Sequence, residues 1–280
     1  MTLKLQKLQG SLGAEIFSFK AHLPVTPSTR DEIRDALFEH LVLVFRDQRL
    51  AVDQQILFTD SLGPLEAAWD TSNTHPEDRR LQIITNAGRQ KNSKRTSSQH
   101  WHSDRSFVEK PVLATLLHAV ELPPFGGDTL FANMRSAYEM LPEGITNRIG
   151  GLLAYHSYRF QFLNLRSMRI SEAVAQTEAE RFPDVIHPLV RTHPFTGRKS
   201  LYLSELCLSE IVDMPKDEGD ALLRELYAHA LQAKFLYRHK WRPGDLVIWD
   251  NPSLMHRVDS IPHDHARILH RTTIAGPVPI

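Results

Sequence analysis

The chain has 280 residues, 41% of them hydrophobic and 24% charged, as in an ordinary globular protein. Lysine plus arginine and aspartate plus glutamate are equal at 33 each, so no net positive field would attract nucleic acid or an anionic membrane. The single cysteine, Cys207, excludes an internal disulfide framework and is expected to be a small core residue. We expect one domain over residues 1–280, a cytoplasmic location, a homo-oligomer (dimer or tetramer) and no nucleic-acid or membrane partner.

The N-terminal part predicts short strands and amphipathic helices. Residues 4–19 mix apolar and polar positions around two glycines, which predicts a hairpin. A helix should begin at Ser28 or Thr29 as its N-cap. Residues 41–45 read as a buried central strand and residues 52–62 as a second helix that ends at a Gly-Pro pair.

The following segment is polar. Residues 66–80 predict a loop and residues 81–85 a strand. Residues 87–99 are basic, rich in Ser and Thr, and without apolar anchors. Such a segment is typical of a mobile loop, and two interpretations stay open: a lid over a site, or a loop without function.

The remainder predicts many short strands and a few helices. Predicted strands cover residues 112–121, 128–131, 185–192, 200–203, 235–241, 245–249 and 267–275. Predicted helices cover residues 135–141, 145–153 and 217–233, and a polar, aromatic insertion at 155–182 is predicted helical from 171 to 181. Short strands with regularly spaced turns predict a mainly β fold with flanking helices (α+β), a double-stranded β-helix or jelly roll.

A candidate metal site centres on His102 and Asp104, which lie two residues apart. In an extended strand both side chains point to one face, as two cis metal ligands require. The third ligand is either His256 or a member of the His-rich segment 263–270, which contains His263, His265 and His270. We favour His256, because it follows a buried strand whereas His263 and His265 lie in a polar loop. Two histidines and one carboxylate form the facial triad of non-haem Fe(II) oxygenases.

Two arginines and a threonine suggest a neighbouring anion site. Arg267 and Arg271 are four residues apart in a predicted strand and therefore share one face. A buried guanidinium needs an anion, either a protein carboxylate or a bound 2-oxo acid held bidentately. Thr129 could donate a hydroxyl hydrogen bond to the same carboxylate, although a threonine in a strand often reflects β-propensity alone.

Together these motifs resemble one known family. The motifs follow one another from residue 42 to residue 272, and they are Trp101–Asp104, Gly126–Thr129, Val190–Pro194, Trp249–Asn251, His256 and Arg267–Arg271. In this order they are similar to those of the taurine/2,4-dichlorophenoxyacetate dioxygenases, enzymes that depend on Fe(II), 2-oxoglutarate and O2.

The resemblance implies a role for each matched residue. Iron would bind His102, Asp104 and His256, and 2-oxoglutarate would bind Thr129 and Arg267. Arg271 would bind the anionic group of the prime substrate. The implied reaction converts 2-oxoglutarate to succinate and CO2 and hydroxylates a substrate C–H bond at the iron, with no separate acid or base.

The substrate side departs from the taurine pattern. The loop after Pro64-Leu65 lacks the His and Tyr of the taurine branch, and Ser98 stands where that branch has Asn. The sequence is closer to the aryloxyalkanoate branch, with Ser98, Trp69 and Phe160 as candidate substrate contacts. We therefore expect a small organic anion with an apolar or aromatic body. Sulfonate or alkyl sulfate ester oxidation is the alternative within the family. A non-catalytic jelly-roll binding module or a cupin-like metallohydrolase is the alternative from another class.

Overall fold

The computed structural model describes residues 3–8, 10–68, 73–86, 97–164, 177, 180–262 and 264–280, without the side chains of residues 97 and 162–164. The strands are β1 (Lys4–Lys7), β2 (Ala14–Phe17), β3 (Val42–Phe45), β4 (Gln82–Thr85), β5 (Ala114–Glu121), β6 (Thr129–Asn133), β7 (Leu153–His156), β8 (Val185–Pro188), β9 (Val190–Thr192), β10 (Lys199–Leu201), β11 (Leu208–Ile211), β12 (Leu236–His239), β13 (Leu246–Asp250), β14 (Leu254–Val258) and β15 (Ile268–Ile274). The helices are α1 (Pro27–His40), α2 (Val52–Leu62), α3 (Met134–Glu139), α4 (Glu143–Ile149), α5 (Tyr158–Asn164) and α6 (Lys216–Ala230).

Two facing sheets form a jelly roll. The large sheet has the strand order β1-β2-β3-β13-β5-β15-β4, and all its pairs are antiparallel except β2 with β3. The small sheet has the order β12-β6-β14. Phe131 of β6 and Trp249 of β13 pack edge to face, with ring centroids 5.6 Å apart, inside the core between the sheets. The predicted mainly β jelly roll with flanking helices is therefore confirmed.

The outer face of the large sheet is covered by α1 and α2. Ile33 and Leu37 of α1 and Phe58 of α2 are buried against Leu43, Leu116, Ile248 and other strand residues. Helix α2 was predicted with its observed bounds, and Gly63 follows its last residue. Helix α1 begins earlier than predicted, because the Thr26 side chain, rather than that of Ser28 or Thr29, accepts the capping hydrogen bond.

A third core lies beyond the small sheet. Apolar side chains of α3, α6, β7, β10 and β11 form it together with alternate residues of β6 and β14. Leu130 and Ala132 of β6 point into this core, while Phe131 between them points into the core between the sheets. Successive side chains of a strand face opposite ways, so β6 connects the two cores.

Several predicted elements in this third region were wrong. The predicted strand 185–192 is two strands, because the chain passes at Leu189 from pairing with β7 to pairing with β10. The predicted helix 145–153 is instead Glu143–Ile149, with Gly150 as its C-cap, and Leu153–His156 form β7. Strands β11 and β14 were not predicted. The predicted helix 171–181 lies largely outside the described residues, and of the predicted mobile loop 87–99 only residues 97–99 are described. Ser97–Gln99 form one 3-10 turn.

The helices of the described ranges are amphipathic or short. None of them is long and apolar enough to cross a lipid bilayer.

Candidate active site

A cavity of about 410 Å³ opens between the two sheets. Its wall includes Leu117 and Arg271 from the large sheet and Thr129 and His256 from the small sheet. The other predicted site residues that line it are His102, Asp104, Arg267 and Ser98. Seven of the site residues predicted from the sequence therefore line the same cavity.

The two histidines are held together by the backbone. His102 and His256 form an antiparallel bridge. Their backbone N to O distances are 3.0 and 2.8 Å, and their ring centroids are 4.3 Å apart. The predicted strand through His102 and Asp104 is wrong: His102 forms only this bridge, and Asp104 begins a turn in which Arg105 has a φ of 55°. His256 lies within β14 rather than after a strand.

Asp104 faces both imidazoles with one oxygen. Its Oδ1 lies 3.8 Å from Nε2 of His102 and 3.8 Å from Nε2 of His256. Its Oδ2 accepts a hydrogen bond of 2.6 Å from the Thr115 hydroxyl. One carboxylate oxygen is thus engaged within the protein, and the other remains directed at the two ring nitrogens.

Thr115 is in turn fixed by Asn251. The Asn251 amide donates to Thr115 Oγ1 at 3.0 Å, and Asn251 Oδ1 accepts from the Trp249 indole at 3.0 Å. All three residues are almost completely buried. This network was missed at the sequence level, although its Trp249–Asn251 segment belonged to the recognised motifs.

The protonation states suit a divalent cation. The Nδ1 of His102 lies 2.7 Å from the His100 carbonyl oxygen, which can only accept, so Nδ1 carries the proton and Nε2 offers its lone pair. Burial, with His102 nearby, lowers the pKa of His256 to about 3. Burial opposes ionisation of Asp104, but His256, Arg271, His102 and the Thr115 hydrogen bond together lower its pKa to about 2. The site therefore offers the neutral imidazole of His256, the Nε2 lone pair of His102 and the ionised carboxylate of Asp104, the ligand forms a metal needs.

The donor set fits one metal ion. The three ligand atoms of His102, Asp104 and His256 lie within 4.8 Å of one another. Among the described residues, these three form the cluster of His, Cys, Asp or Glu side chains that could hold a metal ion. Cis ligands about 2.1 Å from a shared ion are about 3 Å apart, so the observed 3.8 Å separations need to close by only about 1 Å. Two histidines and one carboxylate with open positions are the arrangement typical of non-haem Fe(II).

A corner of the cavity next to the triad is formed by Arg267, Thr129 and Trp241. Arg267 is 4% exposed, and its guanidinium lies 6.0 Å from the centre of the Trp241 ring. The Trp241 indole donates to Thr129 Oγ1 at 3.0 Å, so the Thr129 hydroxyl hydrogen is available for an acceptor elsewhere. Trp241 was missed at the sequence level, since nothing local to residues 235–241 shows that its side chain reaches across to Thr129. Arg267 also lies one residue before β15, not within a strand.

Arg271 projects from β15 toward the triad. Its Nε and Nη2 both donate to Gln82 Oε1, at 3.0 and 2.6 Å, and its Nη1 lies 3.7 Å from Asp104 Oδ1. Gln82 on the neighbouring β4 therefore fixes the guanidinium plane at the edge of the cavity. No local sequence signal marks Gln82 as part of the site.

Of the three predicted substrate contacts, one is in the described cavity wall. Ser98 lines the cavity, whereas Trp69 lies outside the described residues. Phe160 is not among the described residues of the wall; Tyr158 and Gln161 of the same helix are, because residues three apart share one helix face. Phe107, Leu206 and Cys207 join Tyr158 in an apolar cluster along this wall. Burial raises the pKa of the Cys207 thiol to about 12, as expected for a core cysteine.

The competing histidines lie elsewhere. His270 alternates with Arg271 along β15 and so faces away from the cavity, with its ring centroid 5.2 Å from that of His75 and 6.5 Å from that of His118. His265 is exposed next to Phe125, and His263 lies outside the described residues.

Comparisons with known proteins agree with this geometry. Residues 4–273 match the family described as "Taurine catabolism dioxygenase TauD, TfdA family". The alpha-ketoglutarate-dependent 2,4-dichlorophenoxyacetate dioxygenase of Cupriavidus pinatubonensis is 38% identical over 86% of this chain and 87% of its own length. The alpha-ketoglutarate-dependent sulfate ester dioxygenase of Pseudomonas putida is 30% identical over 100% and 92% of the two chains.

A solved structure extends the similarity to three dimensions. The crystal structure of AAD-2 in complex with Mn(II) and N-oxalylglycine has a TM-score of 0.86 at 34% identity, and the match covers 100% of this chain and 99% of that one. The alternatives of a binding module or a metallohydrolase find no support. The chain belongs to the TauD/TfdA family, and it is an Fe(II)- and 2-oxoglutarate-dependent dioxygenase.

Proposed function

We propose that this enzyme hydroxylates a C–H bond of a small organic anion with an aromatic or other apolar body, of the aryloxyalkanoate kind. The observation that carries the proposal is the pairing, within one cavity, of a second arginine, Arg271, with an apolar wall that includes Phe107, Tyr158 and Leu206. The 2,4-dichlorophenoxyacetate dioxygenase relative, whose named substrate is an aryloxyalkanoate, supports it.

The iron would be held by His102, Asp104 and His256. The donor set, the tautomer of His102 and the ionised Asp104 support this assignment. When bound, the iron supplies the oxidation chemistry that couples 2-oxoglutarate decarboxylation to C–H hydroxylation. Thr115 keeps one Asp104 oxygen engaged and leaves the other directed at the ion.

The 2-oxoglutarate would be bound by Arg267 and Thr129. Arg267 can offer a bidentate guanidinium to the distal carboxylate, and the Thr129 hydroxyl, whose oxygen accepts from Trp241, can donate to the same group. Because both residues are almost completely buried, these charge-assisted hydrogen bonds would be shielded from water.

The prime substrate would place its anionic group on Arg271 and its body against the apolar wall. Gln82 fixes the Arg271 guanidinium, which reduces the entropy lost on binding. Ser98 would contribute a hydroxyl at the cavity edge, and Trp69 stays a predicted contact.

A succinate-release screen tests the substrate class, with aryloxyalkanoates, alkyl sulfates, sulfonates and amino acids as candidate substrates. We expect turnover with aryloxyalkanoates above all. Turnover confined to amino acids or to short sulfonates such as taurine would contradict the proposal. Sulfate esters are the second candidate, because Arg271 can bind a sulfate as well as a carboxylate and the Pseudomonas putida relative is named for such substrates.

The roles of the two arginines are tested by Arg271→Met and Arg267→Met. Loss of a hydrogen-bonded charge partner costs about 1.5–3 kcal/mol, so each KM should rise roughly 10- to 100-fold for the ligand that the lost arginine binds. Arg271→Met should affect the KM of the prime substrate, and Arg267→Met that of 2-oxoglutarate. Arg148→Met, which removes an exposed arginine far from the cavity, is the control. Equal effects of either substitution on both KM values would show that the roles are wrongly divided.

We also propose that the enzyme works in the cytoplasm as a homo-oligomer, a dimer or tetramer. The single, buried cysteine and the use of 2-oxoglutarate, a metabolite of the cell interior, support the location. Light scattering of the purified protein tests the oligomeric state, and a monomer at micromolar concentration would contradict it.

A further inference from the structure

A second buried polar cluster surrounds Arg191, which is not part of the cavity wall. Arg191 belongs to the Val190–Pro194 motif, which has no part in the proposed chemistry. Its side chain is 1% exposed, and those of His156, His187 and Tyr202 are 0, 1 and 2% exposed. These four residues come from β9, β7, β8 and the segment after β10.

The side chains of this cluster pack against one another. The His156 ring centroid lies 5.2 Å from that of His187 and 5.1 Å from that of Tyr202, and the Arg191 guanidinium carbon lies 5.0 Å from the Tyr202 ring centre. Ser200 is the register partner of Arg191 in the β9–β10 ladder, so its hydroxyl is on the same face.

Most polar atoms of this cluster lack a hydrogen bond of ordinary geometry to another described residue. All three guanidinium nitrogens of Arg191, both ring nitrogens of His156 and the hydroxyls of Tyr202, Ser200 and Ser106 are buried in this way. The Tyr202 hydroxyl faces Arg191 and Ser103, both close enough to lower its pKa, but neither at ordinary hydrogen-bond geometry. His187 donates from Nε2 to the Val108 carbonyl at 3.0 Å, and its Nδ1 is likewise buried and unpartnered. Buried polar groups are normally satisfied, so a whole cluster of them, rich in donors, indicates a bound species.

The charge of the cluster is positive. Burial, with His187 and Arg191 nearby, lowers the pKa of His156 well below its ordinary value, and burial lowers that of His187 to about 4. Burial raises the pKa of Tyr202 to about 12. These three side chains are therefore neutral, and Arg191 carries the charge.

No carboxylate of the described residues forms an ion pair with Arg191. The buried Asp250 carboxylate lies 3.2 Å from Nε2 of His193, the residue after β9. An isolated charge in a dry interior is strongly unfavourable unless it is paired.

We propose that Arg191, Tyr202 and Ser200 form a buried binding site for a small monovalent anion of the chloride class. Arg191 supplies the counter-charge, and the two hydroxyls and one imidazole N–H supply further donors. Arg191, Tyr202 and Ser200 are not in the wall of the cavity that contains the candidate iron ligands, so this site is distinct from the proposed 2-oxoglutarate and substrate positions.

The site adjoins the turn that begins at the candidate iron ligand Asp104. Ser103, which directly precedes this turn, is close enough to the Tyr202 hydroxyl to influence its pKa. The bound anion would thus join β9 and β10 to the segment that leads into this turn, and its role would be structural.

Bromide provides a direct test. The Mn(II)-loaded enzyme is purified and crystallised in sodium bromide, and diffraction data are collected at the bromine absorption edge. We expect an anomalous peak within hydrogen-bonding distance of the Arg191 guanidinium. Density that is explained by water molecules alone, without an anomalous peak in bromide or at long wavelength in chloride, would overturn the proposal.

Thermal unfolding gives a second measurement. Replacing gluconate by chloride at constant ionic strength should raise the melting temperature of the wild type by more than about 2 °C, because the anion binds only the folded state. Arg191→Met should lose this response, and Tyr202→Phe, which keeps the ring against Arg191 and removes one donor, should weaken it. Arg198→Met removes an exposed arginine of the neighbouring turn and should retain the full response.

Discussion

At the scale of single residues, one ligand of the candidate iron site is held by hydrogen bonds from other buried side chains. The Thr115 hydroxyl holds Asp104 Oδ2, and Asn251 and Trp249 hold Thr115 in turn. We therefore expect metal affinity to depend on this chain of buried hydrogen bonds as well as on the three proposed ligands.

A graded loss of metal affinity should follow from two substitutions. His102→Ala should abolish specific binding of Mn(II) or Fe(II), measured by anaerobic calorimetry. Thr115→Val keeps the shape of the side chain but frees the second Asp104 oxygen, and the affinity should fall roughly 10- to 100-fold. Thr146→Val, in α4, is the matched control and should bind metal as the wild type does. Full affinity in Thr115→Val would show that Asp104 needs no such support.

At the scale of elements, the turn before β6 is shaped by its contact with Arg267. Gly127 has a φ of +71°, and a Cβ placed on it would lie 2.9 Å from both Cδ and Nε of Arg267. The glycine thus provides both the left-handed backbone and the space in which the arginine lies.

Gly127→Ala should therefore weaken 2-oxoglutarate binding. Displacement of the guanidinium should raise the KM for 2-oxoglutarate roughly 10- to 100-fold, while metal affinity stays unchanged. Gly197→Ala is a close control, because Gly197 has a φ of +69° and a Cβ placed on it would have no other atom within 4 Å. Both variants should lose about 1 kcal/mol of stability from the positive φ, but only the first should change the KM. Similar KM values in the two variants would contradict the proposed packing role.

The elements also show which features local sequence can predict. Helix α2 was predicted with its bounds, because its apolar positions repeat at helical spacing and a glycine ends it. Strand β14 was missed because it is buried on both faces and shows no alternation. The convergence of His102, Asp104 and His256 was predicted from motif order, whereas Gln82, Thr115 and Trp241 act through contacts between distant strands and leave no local signal.

At the scale of the whole molecule, we propose that the chain folds as one domain. Alternate residues of β6 enter two different cores, and Trp101 and Met255, next to the two candidate histidine ligands, belong to the third core. A core that shares strands with its neighbour cannot unfold without exposing that neighbour.

Calorimetry should accordingly record one unfolding transition, with equal calorimetric and van't Hoff enthalpies. Leu226→Ala, in α6, leaves a cavity in the third core and should cost about 2–5 kcal/mol. This variant should lower the melting temperature of the whole transition. A separate transition at lower temperature in Leu226→Ala would instead divide the chain into two domains.

The backbone bridge between His102 and His256 has a consequence for biosynthesis. His256 follows His102 by more than half of the 280 residues, and neither side chain is held in place until the bridge between them forms. A nascent polypeptide emerging from the ribosome would therefore lack the proposed iron site until His256 has been translated. The cell would load the metal only after this bridge has formed, when the two imidazoles are already aligned.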